Sequence, residues 1–551
     1  MTGRSPRFRT AAPALVFATV LAAAACGGSS KSAATASPAP NASPSAPASG
    51  ATPSAPAAPA DPAAFQRVVP QPVTITPGGG SFPLTDAAVI RTTAGSDQIG
   101  ADLAAALKKQ AGLTVAVNGD DDPAETPGTI LIDLQAGGSD AAIGAEGYQL
   151  DVTPSAVRLS ANSPAGLFHG VQTLRQLITP GASGGPATLP AGHVTDFPRY
   201  AYRGAMLDVA RHFFSVADVE SYIDAVALYK VNQLHLHLTD DQGWRLEVPN
   251  WPKLTSVGGS TEVGGGPGGF YTAADYKTIV DYAASRYLTV VPEFDMPGHV
   301  GAAVVSAPQL SCDGRTHKLV TSVSPPFDSL CTTRESTYGF VDNVVAAAAA
   351  LTPGPYVGIG GDEAQALNQT QYNGFVKRAQ DIVATHGKAP MAWAEIAGGP
   401  LLPQTVAEYW NTAVPQPFVV AAAAKGTKLV MAPGDHAYLD QQYNSGFRIG
   451  LHWAGYVPVS KAYDWDPVTI LPGVTPTSVL GVEATLFTET VKNLGDAETL
   501  AFPRLPAIAE IGWSAPDSHD WSSFSKRLGK QDRLWDLLGM RYFRSPEVPW
   551  S

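Results

Sequence analysis

From residue 66 onward, apolar positions recur with two periods, and the two alternate along the chain. Between residues 66 and 195 the runs "TVAV", "TILIDL", "YQLDV" and "AVRLSA" are short and apolar or alternating, which predicts strands. "DQIGADLAAALKKQ" and "PAGLFHGVQTLRQLI" place apolar residues three and four apart, which predicts helices. Together they predict a small α/β domain over residues 66–198, a mixed sheet with helices. Pro198 and Arg199 mark the passage to a different pattern. Over residues 199–551 the predicted strands are "YRGAMLDV", "QLHLHLTD", "LTVVPEFD", "YVGIGGDE", "APMAWAEIA", "VAEYWNT", "TKLVMAPGD" and "VLGVEATLF". Helical patterns such as "VADVESYIDAVALYK", "AADYKTIVDYAASR" and "TYGFVDNVVAAAAAL" separate most of them. Eight strands joined mainly by helices predict a (β/α)8 barrel, a fold of about 250 residues plus insertions. A doubly wound open sheet is the competing arrangement, but no glycine-rich dinucleotide fingerprint follows the first strand.

The N-terminus carries a different signal. Arg4, Arg7 and Arg9 precede the apolar run "AAPALVFATVLAAAAC", which is short for a membrane span. The run stops at Cys26 before "GGSS" and resembles a bacterial lipoprotein signal over residues 1–26, in which Cys26 is lipidated. Ala23 stands where such signals usually hold a larger aliphatic residue, and a plain secretory signal is the alternative. Residues 27–65 are almost entirely Ala, Ser, Pro, Gly and Thr, a composition that reads as an extended tether. The expected location is extracellular, at the outer face of the cell membrane, with membrane contact only through the lipid. Cys312 and Cys331 then remain. In an exported chain a disulfide between them is expected, with two unpaired structural cysteines as the alternative.

Composition narrows the function classes. The chain has 551 residues, 44% hydrophobic and 15% charged, with a net charge of −12. It shows no basic stripe, which argues against a nucleic-acid partner.

The polar residues fall where a barrel enzyme needs them. Asp208 and Arg211 follow the first barrel strand, Asp240 and Asp241 end the second, and Asp295 with His299 closes the third. Asp362 and Glu363 end the fourth; Trp393, Trp410, Trp453, the stretch from Asp435 to Asp440, and Glu489 end or follow later ones. Barrel active sites form at the C-terminal ends of the strands, so these groups are expected to meet at one mouth.

Asp362 and Glu363 are sequence neighbours, which is unusual for a catalytic pair. Inside a strand they would point to opposite faces, but after Gly360 and Gly361 the backbone is free to bend both inward. Close like charges favour protonation of one partner, so Glu363 is expected to stay an acid near neutral pH while Asp362 is ionised. An ordinary retaining glycosidase holds its carboxyl groups about 5 Å apart across the scissile bond, which adjacent residues do poorly. A 2-acetamido sugar removes that need, because its own carbonyl oxygen attacks the anomeric carbon and forms an oxazolinium ion. One carboxylate then supports the acetamido nitrogen, and its neighbour protonates the leaving oxygen. Indole faces at Trp393, Trp410 and Trp453 suit sugar rings and an acetyl methyl group. "HLHLTDD" also invites a metal reading through His235 and His237. Metal-dependent barrels need further histidines on later strands, whereas His386, His436 and His452 lie in loops, so a pair satisfied by polar neighbours inside the barrel is favoured.

At these residues the sequence resembles the family 20 glycoside hydrolases, the β-N-acetylhexosaminidases. The resemblance covers about residues 66–551 and runs in order through "RGAMLDVARHFF", "NQLHLHLTDDQGWRLE", "VVPEFDMPGH", "GGDEA", "AYLDQQY", "WAGY" and "VEATLFTET". It implies that Asp362 orients the acetamido group, Glu363 is the general acid and base, and Tyr438 hydrogen-bonds the acetamido oxygen. It further implies that Arg211, Asp440 and Glu489 bind sugar hydroxyls, that Trp393 and Trp410 line the acetamido pocket, and that Trp453 stacks on the sugar. By the same resemblance Asp240 and His299 border the substrate, and with Asp295 they tune the acid.

Two positions depart from the family pattern. A histidine normally stands two residues before the first glycine of "GGDE", where this chain has Gly358. The third acetamido wall is normally tryptophan, where this chain has Phe487. The implied activity is exo-acting removal of terminal β-linked N-acetylglucosamine, and of N-acetylgalactosamine, from glycans or chito-oligosaccharides, with neither cofactor nor metal. The alternatives are a disaccharide-releasing, lacto-N-biosidase-like hydrolase and a sugar-binding protein on a decayed hydrolase scaffold.

Overall fold

The structure, a computed structural model, describes residues 62–119, 126–135, 140–181, 185–323 and 329–551. The predicted leader, Cys26 and most of the predicted tether lie outside the described residues. The tether's last four residues do not fit that reading: Pro62–Phe65 form a 3₁₀ turn, and Phe65 is buried. An aromatic ring packs where Ala, Ser and Pro cannot; a Cβ on Gly192 would lie 2.7 Å from that ring.

Seven strands form the sheet of the small domain: β1 (Thr74–Leu84), β2 (Val89–Thr92), β3 (Ala116–Gly119), β4 (Thr129–Leu134), β5 (Tyr148–Val152), β6 (Ala156–Ala161) and β7 (Ala187–Asp196). Their order is β1-β7-β5-β6-β4-β2-β3, antiparallel from β1 to β6 and parallel from β6 to β3. The sequence pattern foresaw four of them and placed β3 two residues early. Helices α1 (Asp97–Ala111) and α2 (Pro164–Leu177) stand where expected. Ser163 caps α2 and Pro164 opens it. α2 is buried on nearly every side because the sheet packs on one flank and the barrel on the other: Phe168 meets Tyr287, and His169 meets Trp513.

All eight predicted barrel strands are present: β8 (Tyr202–Asp208), β9 (Gln233–His237), β10 (Thr289–Glu293), β11 (Tyr356–Gly358), β12 (Ala389–Trp393), β13 (Val406–Tyr409), β14 (Lys428–Met431) and β15 (Val479–Ala484). They close in chain order, every pair parallel. Tyr202, Val291, Met391, Val406 and Val430 pack together inside. Helix α3 (Val216–Ala227) follows β8 and starts on a reciprocal Ser215–Asp218 cap. The seam with the small domain is polar as well as apolar. The Lys230 ammonium lies 2.7 Å from Asp196, the Trp513 indole N–H donates to the same carboxylate at 2.8 Å, and Arg203 pairs with Glu146.

A disulfide joins Cys312 to Cys331. The loop it closes lies against the loops after β9: Gln242 donates to the Ser322 carbonyl, and the Gly264 N–H donates to the Thr321 carbonyl, each at 2.8 Å. The neighbouring Val263 N–H in turn holds the Arg211 carbonyl at 2.9 Å. The cross-link therefore supports one edge of the barrel mouth. None of the described helices is long and apolar enough to cross a membrane.

Candidate active site

β11 is three residues long, and beyond it the chain abandons strand geometry. Gly360, Gly361 and Glu363 have φ of +66°, +93° and +45°. At Gly360 a Cβ would lie 1.8 Å from Asp295 Oδ1, so the turn approaches β10 only because the residue is glycine. The Gly361 N–H donates to Asp295 Oδ1 at 3.3 Å, and Tyr372 donates to the Gly361 carbonyl at 2.6 Å. Glu363 sits in the left-handed region that non-glycine residues rarely occupy. This bend brings both neighbours to one imidazole: His299 Nε2 is 3.5 Å from Asp362 Oδ2 and 3.6 Å from Glu363 Oε2.

The two acids open on a pocket of about 430 Å³. Its aromatic wall is continuous. Tyr438 stacks with Trp410 at 6.4 Å and meets Trp453 edge-on at 5.5 Å, while Phe487 lies 5.6 Å from Tyr438 and 5.9 Å from Trp393. Phe487 thus occupies the third wall, with the Arg211 guanidinium 5.0 Å over its ring. Trp453, 52% exposed, forms the rim. Arg211, Asp440 and Glu489 line the polar side. Burial and Glu489 push the Asp440 carboxyl up to about 7. Asp295 and His299 line the floor near the acids.

Asp240 does not reach the pocket surface. It is 1% exposed and works from behind, 2.7 Å from Arg211 and 3.3 Å from His299. Sequence reasoning missed Glu395, which accepts the Trp410 indole N–H at 3.1 Å and whose carboxyl is pushed to about 7 by burial and Asp362. The signal was there in "WAE", an acid two residues past Trp393 at a strand end.

Beneath the pocket, charges alternate down the barrel. Asp240 Oδ2 lies 2.9 Å from His237 Nε2, His237 Nδ1 is 2.6 Å from Glu293, Glu293 is 2.9 Å from His235 Nε2, and His235 Nδ1 is 2.7 Å from Glu483. Burial pulls both imidazoles down, but Glu293 and Asp240 hold His237 up at about 9, and Glu483 and Glu293 hold His235 well above its usual value. Both histidines are charge partners inside the barrel.

The same electrostatics reverse one expectation. Burial raises Asp362, and burial with Asp362 raises Asp295 well above the carboxylate range. Glu363 is lowered instead, first by the His299 imidazole 3.6 Å away. The cause is position: the Glu363 side chain is 42% exposed against 16% for Asp362, and only Asp362 sits on the buried carboxyl of Asp295.

Gly358 also has a reason on this chain. A Cβ there would lie 2.8–3.0 Å from the Cβ, Cγ and Cα of Glu293, the residue that bridges both histidines. Gly358→Ala is therefore expected to destabilise the fold by about 1–3 kcal/mol through overpacking, read as a lower thermal midpoint. An unchanged midpoint would show that Glu293 has room to move.

Relatives agree with this geometry. Residues 200–516 match the glycosyl hydrolase family 20 catalytic domain, and residues 66–197 match domain 2 of the same family. The chain is similar to the β-N-acetylhexosaminidase of Cellulomonas fimi, 42% identical over 487 residues that span 88% of this chain and 97% of the relative. Its fold is similar to that of the GH20 β-N-acetylhexosaminidase of Streptomyces coelicolor A3(2), with a TM-score of 0.85 and 46% identity over 90% of this chain and all of that one. It is equally similar to the Streptomyces plicatus N-acetyl-β-hexosaminidase solved with Thio-NAglucal, with a TM-score of 0.85 and 45% identity over 90% of this chain and 99% of that one. By the match of both domains and of the barrel that joins them, the chain belongs to glycosyl hydrolase family 20.

Proposed function

We propose that the protein is an exo-acting β-N-acetylhexosaminidase that removes terminal β-linked N-acetylglucosamine, and N-acetylgalactosamine, by substrate-assisted retaining hydrolysis. The observation that carries this reading is the placement of Asp362 and Glu363 side by side, on one imidazole, facing an aromatic wall. Asp362 accepts from the acetamido N–H and turns the carbonyl oxygen toward the anomeric carbon. Tyr438 donates to that oxygen, and Trp393, Trp410 and Phe487 enclose the methyl group. Arg211, Asp440 and Glu489 take the ring hydroxyls. Glu363 protonates the glycosidic oxygen as the oxazolinium ion forms, then as a carboxylate takes a proton from the water that opens it. A seated sugar covers Glu363, and the desolvation raises its pKa and favours the protonated carboxyl.

The test is a panel of aryl β-glycosides of N-acetylglucosamine, N-acetylgalactosamine and a disaccharide ending in an N-acetylhexosamine, with a thiazoline mimic of the oxazoline as inhibitor. Release from the first two with tight thiazoline inhibition is expected. Release from the disaccharide alone would move the assignment to the lacto-N-biosidase-like reading, and sugar binding without turnover would make this a binding protein.

The pH profile tests the His299 contact. Glu363 is active when protonated, so activity falls as pH rises through its pKa, and the imidazolium holds that pKa down. His299→Gln is expected to move the alkaline limb of kcat/KM to higher pH while lowering the maximum. A limb that stays in place would assign it to another group.

We also propose that the enzyme acts outside the cell, tethered through lipidated Cys26. The arginine-led apolar run ending at Cys26 and the Cys312–Cys331 disulfide support this location. Labelled palmitate is expected in the wild type and not in Cys26→Ala, which should be released to the medium; label in neither would leave a plain secretory signal.

A further inference from the structure

We propose that Glu293, a carboxylate outside the pocket lining, is the positioning residue that holds two aromatic walls and the sugar-binding Arg211 in register. The inference rests on the reading of the pocket as an N-acetylhexosamine site. Glu293 ends β10, is 1% exposed and does not line the pocket. Its Oε2 meets two imidazoles at once, His237 Nδ1 at 2.6 Å and His235 Nε2 at 2.9 Å.

Each imidazole backs one wall. His237 meets the Phe487 ring edge-on at 5.5 Å, and His235 lies 5.9 Å from Trp393. Their far nitrogens also face carboxylates. His237 Nε2 is 2.9 Å from Asp240 Oδ2, the same oxygen that lies 2.7 Å from Arg211 Nη2. His235 Nδ1 is 2.7 Å from Glu483, which also accepts the Tyr202 hydroxyl at 2.6 Å. An imidazole between two carboxylates needs a proton on each nitrogen, because a bare lone pair would face a negative oxygen. Two charged hydrogen bonds then fix the tilt of each ring. One leg runs from Glu293 through His237 to Phe487, Asp240 and Arg211. The other runs through His235 to Trp393.

The neighbouring charges do not replace it. His237 also meets Asp208 and Arg211, the latter at 3.5 Å, and His235 meets Glu408 at 3.9 Å. Asp240 already serves Arg211 and His299. Burial and Glu483 hold the Glu408 carboxyl well above the carboxylate range, and burial and Asp362 do the same to Asp295. Glu293 therefore carries the charge that both rings share.

The test is calorimetry of N-acetylglucosamine binding across neutral and alkaline pH. Wild-type affinity is expected to fall as pH rises through about 9, where His237 loses its proton; burial pulls that value down, and Glu293 and Asp240 hold it up. Glu293→Gln keeps the shape and an accepting oxygen but not the charge. Its limb should move down by about 1–3 pH units, with affinity above the new limb about tenfold lower. Asp440, at about 7, and His299, which meets Asp240, are common to both proteins and drop out of the difference. Glu293→Asp restores the charge at shorter reach and should return the limb toward its wild-type position. A Glu293→Gln profile that overlays the wild type would overturn the proposal. So would equal losses in both variants with the limb in place, which would make Glu293 a packing residue. Failure of the wild type to bind N-acetylglucosamine at any pH would instead remove the sugar reading, and this inference with it. Should Glu293→Gln not fold, Gly358→Ala decides, since its Cβ would press on Glu293 from 2.8–3.0 Å with every charge kept. It should bind the sugar more weakly, and wild-type affinity in the folded variant would overturn the proposal.

Discussion

Asp362→Asn is expected to lower kcat on aryl β-N-acetylglucosaminides by about 10²–10³-fold with KM changed far less, the signature of losing a preorganised charge in the transition state. Asn keeps the size and most of the hydrogen-bonding shape of Asp362, so the pocket should stay intact. What it loses is the negative charge that faces the acetamido nitrogen as the oxazolinium ion develops. The surroundings raise the stakes. Asp362 is mostly covered, beside Asp295 and 3.5 Å from His299, so bulk water replaces little of the missing charge. Affinity for the thiazoline should fall in parallel with kcat/KM, because both report the same charged ring, while affinity for N-acetylglucosamine should fall less. Near-wild-type turnover in Asp362→Asn would mean that the sugar is not its own nucleophile, and the substrate-assisted assignment would be lost.

The barrel was legible because its strands are apolar runs, most of them ending in or followed within a few residues by an acid, a histidine or a tryptophan, and those residues named most of the pocket. The small domain was less so. β1 contains "PGGG" and β7 contains a proline and a glycine, so neither announces a strand; they are held by pairing with each other across more than a hundred residues of chain. Within the site, sequence spacing placed Asp240 at the mouth but not its depth, since Arg211 and His299 stand between it and the pocket. The direction of the proton between Asp362 and Glu363 depends on their relative exposure and on the third carboxyl of Asp295, and none of these is written in the order of residues. Gly358 looked like a loss and proves to be matched: the space it leaves is taken by Glu293, which ties His235 to His237. The two departures from the family pattern therefore differ in kind. Gly358 is absorbed into the charge ladder under the site, whereas Phe487 lines the pocket itself.

Glu363→Gln should reduce kcat/KM by about 10²–10⁴-fold on substrates with poor leaving groups, the usual range for loss of a general acid. The loss should shrink as the aryl leaving group becomes more acidic, because a good leaving group departs without a proton. A plot of log kcat/KM against leaving-group pKa is thus expected to be shallow for the wild type and steep for the variant. kcat/KM is the quantity to compare, since it reports cyclisation, whereas kcat on activated substrates also contains the opening of the oxazolinium ion, for which Glu363 is the base. Gln at this position also removes the negative charge that His299 faces at 3.6 Å, so the alkaline limb assigned to the Glu363–His299 pair should vanish from the variant's profile. Equal losses across all leaving groups, with the limb intact, would remove Glu363 from the role of proton donor. The turn at Gly360 and Gly361 would then serve to position Asp362 alone, and the donor would have to be sought among the neighbouring carboxyls, with Glu395 the first to test because it accepts the Trp410 indole N–H and its carboxyl is pushed up to about 7 by burial and Asp362.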